Sequence, residues 1–482
     1  MTAPPAEAAR HRAAFLAAFP AIATAIFAGA VDQTITATAL PAIAAEFGVV
    51  GRISWVVVAY LIAGTIAAPI FGRLGDAYGR QPMLLLAFGL QGAGALAAAL
   101  APDFWALLAA RVVHGFGGGA LLTLAMAVLG ETVPPRERGR YQGYLVACFI
   151  SSSALGPLLG GWLTAHWGWA AVFWFGLPLC AMGLLATSRL QRRPGTGGFA
   201  LDGPGLGLFT GFVLVLVASL ERVQKLDWTL AAPGLLVAAA LCAALLRAER
   251  RSPDPLLPPE VLGEATVWRT NALSACVAAA LTALISFLPI YLSVVRGVPL
   301  ATVGLMLLPM SVAGGLGALA SGTLVARTGR NMLLPMFGLG WAVLGVSGLA
   351  FFAGQVPLSV LPWWLALCTL GVGTTFPAVQ ITVQAAAGPA RLGVATASVQ
   401  FMRNLGSAAG TALLGAALFA TLALAEPGLA ERVIGGGRAA LAALEAGDRA
   451  ALAVGFRALF AGAALLLGVA FVMAWRVPLR RI

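Results

Sequence analysis

Charged residues are scarce in this sequence, and their scarcity excludes most classes of soluble protein. Only 10% of the 482 residues are charged, whereas 60% are apolar and the mean hydropathy is +0.92. A soluble core of this length does not need so much apolar surface, but a chain that crosses a membrane many times does. The net charge of +12 does not indicate a nucleic-acid partner, because most basic residues fall in loops on one predicted side.

Groups that carry redox, metal or nucleophilic chemistry are sparse as well. The five cysteines all fall inside apolar stretches and have no metal-ligand spacing, so we predict no redox or metal role for them. No segment matches the Gly-x-x-x-x-Gly-Lys-Ser/Thr loop that cradles ATP phosphates, and no nucleophile–base pair stands out. We therefore predict that the protein is not an enzyme, needs no cofactor and does not draw its energy from ATP.

Long apolar runs fill the sequence instead. About fourteen of them are long enough to cross a ~30 Å hydrocarbon layer as helices. They predict an all-α polytopic membrane protein with spans at residues 15–40, 55–71, 83–101, 105–130, 141–165, 169–187, 203–220, 229–246, 270–295, 301–326, 332–353, 358–383, 394–422 and 451–475.

The placement of basic residues predicts the orientation of these spans. An even number of spans puts both termini on one side, and most arginines, including Arg73, Arg136 and Arg250, fall on that side. The positive-inside rule then makes both termini cytoplasmic, in the cytoplasmic (inner) membrane. The long external loop at residues 423–449 is predicted to contain a short interfacial helix.

Two distant segments are imperfect copies of each other. Gly72–Leu84 aligns without gaps with Gly322–Leu334; the same residue recurs at 72/322, 74/324, 79/329 and 80/330, whereas Asp76 is matched by Ala326. Each copy lies between two apolar runs, so each predicts a short basic hairpin between two spans. We predict two six-helix bundles that contain inverted repeats, residues 1–195 and 263–482, joined by two inserted helices and a linker at residues 196–262.

Five segments resemble motifs of the major facilitator superfamily and, within it, of the fourteen-span drug:proton antiporters. They are VDQTITATALP from Val31, GRLGDAYGRQPML from Gly72, RVVHGFGGGA from Arg111, SSSALGPLLGG from Ser151 and FMRNLGSAAG from Phe401. The resemblance covers essentially the whole chain and implies a transporter that works by alternating access. This sequence departs from the motifs at several positions, which are Ala77, Gln81, His114 (where glutamine is commoner) and Ser152.

Asp32 is the only carboxylate deep within a predicted span, ~7 Å from the middle toward the outer face. An ionised carboxylate is costly in hydrocarbon, so it must face a cavity, pair with a cation or bind a proton. Arg111 and His114 share one face of the fourth span at a similar depth. We predict that Asp32 carries the coupling proton and that Arg111 is its counter-charge. His114 either relays a proton or is a neutral ring satisfied by a neighbouring carbonyl.

Asp32 and Arg111 are also predicted to line a substrate cavity, together with Arg403 and Asn404 near the middle of span thirteen. Arg403 contacts substrate or locks the two halves together; the sequence leaves both roles open. Asp32 and the many apolar walls favour lipophilic cations, although the two arginines leave anionic amphiphiles open.

A second cluster of charge is predicted at the cytoplasmic ends of the spans. This predicted gate comprises Gly72, Asp76, Gly79, Arg80 and Glu131. The resemblance implies that Asp76 draws the halves together near the start of span thirteen. It also implies that the span-five motif seals the cavity against proton leak, although helix packing alone would explain its residues, Gly156, Pro157, Gly160 and Gly161.

These features predict a proton-coupled antiporter that exports lipophilic, preferentially cationic drugs or related amphiphiles. An exporter or flippase of an endogenous lipid or metabolite on the same scaffold is the alternative. A transport-dead membrane sensor is disfavoured, because it would not need Asp32 and Arg111. The predicted partners are the small substrate, protons and membrane lipids, with a periplasmic adaptor protein as a further candidate, and the expected state is a monomer.

Overall fold

The computed structural model describes residues 5–49, 52–195, 197, 202–425 and 446–481. Helices dominate this part of the chain, and the only β-type pairing within it is an isolated antiparallel bridge between Arg330 and Arg481. The helices are α1 (Pro5–Phe47), α2 (Trp55–Tyr78), α3 (Arg80–Ala99), α4 (Phe104–Thr132), α5 (Pro135–Trp167), α6 (Ala170–Ser188), α7 (Gly203–Gln224), α8 (Trp228–Glu249), α9 (Pro259–Leu262), α10 (Ala265–Ile290, continued as a π-helix to Val295), α11 (Leu300–Thr328), α12 (Leu333–Phe352), α13 (Leu361–Gly373), α14 (Thr375–Ala387), α15 (Leu392–Ala425) and α16 (Ala446–Arg476).

The prediction of an all-α polytopic membrane protein is confirmed. Thirteen spans in the described part of the chain are helical and apolar enough to cross a membrane, with α13 and α14 together forming one of them. The remaining predicted span, at residues 141–165, falls within α5, a helix of 33 residues of whose side chains only some are described. The protein is therefore an integral membrane protein.

The twelfth predicted span is broken where the sequence predicted one continuous helix. Thr374 separates α13 from α14, and Pro377 follows three residues later. Because proline has no N–H, it cannot donate to the carbonyl of Gly373 one turn earlier. The hydroxyls of Thr374 and Thr375 donate to the carbonyls of Gly371 and Val372, at 2.6 and 2.7 Å, and so satisfy part of the interrupted ladder.

The loop that the sequence predicts at residues 423–449 is shorter than predicted, because α15 continues to Ala425 and α16 already begins at Ala446. The interfacial helix predicted within the loop falls at residues 426–445, which lie outside the described residues.

Two compact units can be distinguished by their internal contacts. The first comprises Met1–Thr210, Leu245–Val267 and Val383–Phe401, and the second comprises Gly211–Ala244, Trp268–Thr382 and Met402–Ile482. The first therefore includes the beginning of α15 along with α1 to α6. The predicted division at residues 195 and 262 concerns the sequence repeat and stays a prediction.

Within the first unit, α4 packs against α2 at almost backbone-to-backbone distance. A β-carbon built on Gly119 would lie 2.2 Å from the carbonyl oxygen of Gly64, and one built on Gly115 would lie 2.3 Å from that of Tyr60. Only glycine allows such a close approach. In lipid the hydrophobic effect does not drive helices together, so the dispersion contacts of this close packing hold α2 and α4 together instead. This packing places the face of α4 that carries Arg111 against α2.

The second unit repeats a packing arrangement of the first. In the first unit α5 lies on α1, so that a β-carbon on Gly156 would meet the Thr34 side chain. In the second unit α15 lies on α10, where a β-carbon on Gly410 would be 2.3 Å from the Cα atom of Ala279. Gly410 corresponds to Gly156 when Gly139 is aligned with Gly393. The fifth helix of each predicted repeat thus contacts the first helix of the same repeat through a glycine at the same position of the repeat.

Candidate functional site

Asp32 and Arg111 form a buried ion pair between α1 and α4. Arg111 Nη1 lies 2.9 Å from Asp32 Oδ2, and the two side chains are 1% and 9% exposed, respectively. Neither charge would be tolerated alone at such burial, since an unpaired buried charge costs several kcal/mol. The structure therefore brings together two of the residues that the sequence predicted to couple protons.

The Arg111 guanidinium is held from three further directions. Its Nε atom donates to the carbonyl of Val56 at 3.1 Å. Its Cζ atom lies 4.3 Å from the ring centroid of Tyr60 and 5.6 Å from that of Phe173. Aromatic faces attract a desolvated cation by about 2 kcal/mol or more. Arg111 consequently has a fixed position that does not depend on Asp32 alone.

His114 completes a cluster of three polar side chains. Its Nδ1 atom lies 3.0 Å from Arg111 Nη1, and its Nε2 atom lies 3.6 Å from Asp32 Oδ1. The ring is 2% exposed and meets Tyr60 edge to face. One alternative from the sequence was a neutral His114 whose partner is a neighbouring carbonyl. In the structure its partner is the guanidinium of Arg111.

Arg403 and Asn404 lie on α15 and are half buried. They belong to the second unit, whereas Asp32, Arg111 and His114 belong to the first. Their assignment to the substrate cavity stays a prediction.

Arg80 is the centre of the charge cluster predicted at the cytoplasmic ends of the spans. It is 4% exposed, pairs with Asp76 and donates from Nε to Glu131 Oε1 at 2.7 Å. It also donates from Nη1 to the carbonyl of Gly72 at 3.3 Å. Gly79, which joins α2 to α3, has φ +93°, a backbone conformation that residues other than glycine rarely adopt. The five residues of the predicted gate therefore lie together.

Asp76 also contacts the N-terminus of α15. Its carboxylate accepts the backbone N–H of Gly393 at 3.0 Å and that of Val394 at 3.1 Å. The first N–H groups of a helix have no partner within the helix and carry partial positive charge, so a carboxylate there is favourable on both counts. A β-carbon on Gly72 would lie 2.7 Å from the carbonyl oxygen of Gly393, so α2 and α15 touch through backbone atoms.

Two residues that the sequence did not single out form a second contact nearby. Gln384, at the end of α14, accepts from Arg138 Nη1 at 3.3 Å and donates to the Met126 carbonyl at 3.1 Å and to Thr396 Oγ1 at 3.0 Å. Arg138 also donates to the carbonyl of Val133 at 2.8 Å. Burial lowers the pKa of Arg138 to about 10, which still leaves it charged at neutral pH.

The span-five motif lies against α1 close to Asp32. A β-carbon on Gly156 or Gly160 would collide with the side chain of Thr34 or Thr38, two and six residues after Asp32. Gly161, in contrast, faces open space, and Pro157 is exposed. Two of the four motif residues thus take part in the close α1–α5 contact.

Comparison with known proteins agrees with the fold and the motifs. Residues 22–411 match the family model of the Major Facilitator Superfamily. An MFS-type transporter of Mycobacterium tuberculosis is 31% identical over 83% of this chain, which spans 58% of that relative's length. The efflux pump dotC of Dothistroma septosporum is 32% identical over 80% of this chain and 67% of its own length. The multidrug transporter protein MdtP of Bacillus subtilis is 27% identical over 82% of this chain and 73% of its own length.

Solved structures show the same fold at low sequence identity. The human organic anion transporter MFSD10 aligns over 98% of this chain and 100% of its own, with a TM-score of 0.64 and 16% identity. The proton:xylose symporter XylE aligns over 96% of both chains with a TM-score of 0.62 and 13% identity.

Proposed function

Because this chain belongs to the major facilitator superfamily, a family of membrane transporters rather than enzymes, we propose that it is a proton-coupled antiporter that exports lipophilic, preferentially cationic compounds. Relatives named as an efflux pump and as a multidrug transporter support the direction and the substrate class. We further propose that it works as a monomer in the cytoplasmic membrane with both termini in the cytoplasm, as the distribution of arginines predicts.

The observation that carries this proposal is the buried ion pair of Asp32 with Arg111. A carboxylate in such a site is ionised only while its counter-charge stays close, so a small displacement of either helix favours proton binding. A proton on Asp32 removes the attraction to Arg111, which gives the protonated and ionised states different preferred arrangements. Substrate cation and proton then compete for the same carboxylate, and this competition is what an antiporter needs.

The contact of Asp76 with α15 supports a gate at the cytoplasmic ends of the helices. Asp76 belongs to the first sequence repeat and α15 to the second, so their hydrogen bonds join the repeats while that side is closed. A cavity of about 750 Å³ beside them, lined by Asp76, Glu131, Arg138 and Arg193 among others, lets water take over these hydrogen bonds when the contact opens.

Replacement of Asp32 tests the proposal. Asp32→Asn keeps the shape of the side chain but cannot be ionised, so pH-gradient-driven transport in proteoliposomes should fall to the rate of empty liposomes. Size-exclusion chromatography and thermal unfolding report whether the variant is folded. If Asp32→Asn leaves an uncompensated Arg111 and does not fold, Asp32→Glu, which keeps the charge, should fold and retain proton-driven transport.

Asp103→Asn is the matched control. Asp103 caps the N-terminus of α4 from an exposed position, accepting the N–H groups of Trp105 and Ala106, and makes no contact with the ion pair. Because asparagine caps a helix about as well as aspartate, the change should leave stability and the coupling ratio nearly the same. Full pH-driven transport by folded Asp32→Asn would overturn the assignment of the coupling proton.

A further inference from the structure

We propose that His114 is a positioning residue that stays neutral through the transport cycle and keeps Arg111 in place when Asp32 takes up its proton. This inference rests on the proposed function, because it concerns how Arg111 behaves when Asp32 changes its charge. It departs from the simpler idea that a histidine beside a carboxylate passes a proton to it.

The hydrogen bond between Arg111 and His114 fixes which ring nitrogen carries hydrogen. A guanidinium has only N–H donors and remains charged in proteins, so His114 Nδ1, 3.0 Å from Arg111 Nη1, must be the acceptor. The hydrogen of the neutral ring is then on Nε2, the nitrogen that faces Asp32. A second proton, added at Nδ1, would place two N–H groups and two positive charges against each other at this distance.

Within the described part of the chain, the residues in contact with His114 include no second carboxylate that would compensate a charged ring. His114 is 2% exposed, and apart from Arg111 on its own helix the residues around it come from four other helices. They are Asp32 of α1, Tyr60 of α2, Gly94 of α3 and Phe173 of α6. Asp32 is the one acid among them, and Arg111 already pairs with it.

The neutral ring acts on both members of the ion pair. Its Nε2 atom lies 3.6 Å from Asp32 Oδ1, too far for a hydrogen bond, so the dipole of the neutral ring rather than a shared proton acts on the carboxylate. Its Nδ1 remains available to Arg111 when Asp32 is protonated. With the Val56 carbonyl, it leaves the guanidinium two acceptors that do not change during the cycle. Arg111 therefore keeps its position until Asp32 is ionised again.

Two substitutions separate positioning from proton transfer. In His114→Gln the amide Oε1 can accept from Arg111 and the amide N–H can face Asp32, but the side chain cannot titrate. We expect it to keep proton-driven transport within about threefold of the wild type, with an unchanged pH of half-maximal rate. His114→Leu removes the acceptor and the dipole, so we expect the rate to fall about tenfold, the usual effect of losing a hydrogen bond to a charged group. Its pH of half-maximal rate should rise, because the ionised form of Asp32 loses the dipole that favours it.

A spectroscopic measurement tests the neutral state directly. The chain has three histidines, so the nitrogen spectrum of protein labelled with ¹⁵N-histidine is simple, and His114→Gln identifies the His114 signals by their loss. We expect His114 to show a protonated Nε2 and a bare Nδ1 between pH 5 and 8. Titration of His114 in that range, or loss of coupling in folded His114→Gln, would overturn the inference.

The Asp32→Asn experiment separates this inference from the proposed function. If Asp32→Asn transports normally, the coupling assignment fails whatever His114 does. If Asp32→Asn loses coupling and His114→Gln loses it too, only the role given to His114 fails.

Discussion

Both copies of the basic hairpin turn at a glycine with positive φ, but they differ in the parts of the protein that they contact. In the first copy Gly79, at φ +93°, joins α2 to α3; in the second Gly329, at φ +67°, follows the end of α11 before α12 begins. Both positions need a left-handed or otherwise unusual conformation that glycine adopts without strain. The aligned residues that follow, Arg80 and Arg330, nevertheless have opposite surroundings.

Arg80 is buried among acids, whereas Arg330 is exposed and its backbone bridges to Arg481. The second hairpin is instead held by Asn331, which is fully buried and donates to Thr382 Oγ1 at 2.7 Å and to the Leu479 carbonyl at 2.8 Å. Its partners belong to the same predicted repeat as the hairpin itself.

We interpret the difference as a duplicated element whose two copies have different roles. Asp76 joins the first hairpin to α15, a helix of the other repeat, through hydrogen bonds that water can replace. Ala326, at the aligned position, has no group that could make such bonds. In our account the first hairpin is a latch that opens in each cycle, and the second is a brace that stays closed.

Among changes to the two hairpins and their contacts, removal of the Asp76 carboxylate should have the largest effect. Asp76→Ala takes away one of the two carboxylates that pair with the buried Arg80, as well as the acceptor of two backbone N–H groups. Glu131 still pairs with Arg80, but each lost hydrogen bond to a charged group costs about 1.5–3 kcal/mol. We expect proton-driven transport in proteoliposomes to slow by at least about tenfold, while substrate affinity changes little.

Ala326→Ser is the matched change in the second hairpin, and it should leave the transport rate within about twofold of the wild type. Equal losses of transport rate in the two variants would mean that the hairpins are equivalent. A wild-type transport rate for Asp76→Ala would show that the first hairpin is not a latch.

Loss of Gln384 should have an intermediate effect. Gln384→Ala leaves Arg138 Nη1, the Met126 carbonyl and Thr396 without this partner, at a cost of about 1–3 kcal/mol. Because these contacts also join α14 and α15 to α4 and α5, we expect transport to slow by roughly three- to tenfold without loss of substrate binding. Gln355→Ala, at an exposed position between α12 and α13, is the control. A wild-type rate for Gln384→Ala would show that this contact is passive.

The smallest effect on transport is expected from the brace. Asn331→Ala removes two buried hydrogen bonds, so thermal unfolding should begin about 2–6 °C lower. The transport rate at a temperature well below unfolding should stay within about twofold, because these bonds persist in both states. Thermal unfolding followed by intrinsic fluorescence, with transport measured on the same preparations, checks both parts. A large transport defect without destabilisation would mean that the second hairpin also moves.

The sequence predicted the charged part of both sites because charge stands out in apolar helices. Asp32 is a lone acid within a span, Arg111 and His114 share one helical face, and Asp76 breaks the symmetry of a repeat. Each signal is local, or becomes local once the repeat is aligned. In the structure, Asp32, Arg111 and His114 lie together, and Asp76 lies in the second cluster with Arg80.

Gln384 could not be found in this way. It is an uncharged amide in an apolar helix, and Arg138 and Met126 lie 246 and 258 positions away along the chain. No spacing rule reaches that far. The break at Thr374 is a different case. Pro377 marks it in the sequence, but the span is apolar enough throughout to be predicted as one continuous helix.

The distance between the two ends of the latch is the most direct test of this account. Spin labels at the exposed positions Tyr78, at the end of α2, and Pro389, just before α15, report it by double electron–electron resonance in a variant whose five cysteines are replaced. We predict that Asp76→Ala, at the same pH, transfers population from the short distance to a longer one, and that Ala326→Ser does not. A distance distribution that is the same with and without Asp76 would contradict the account.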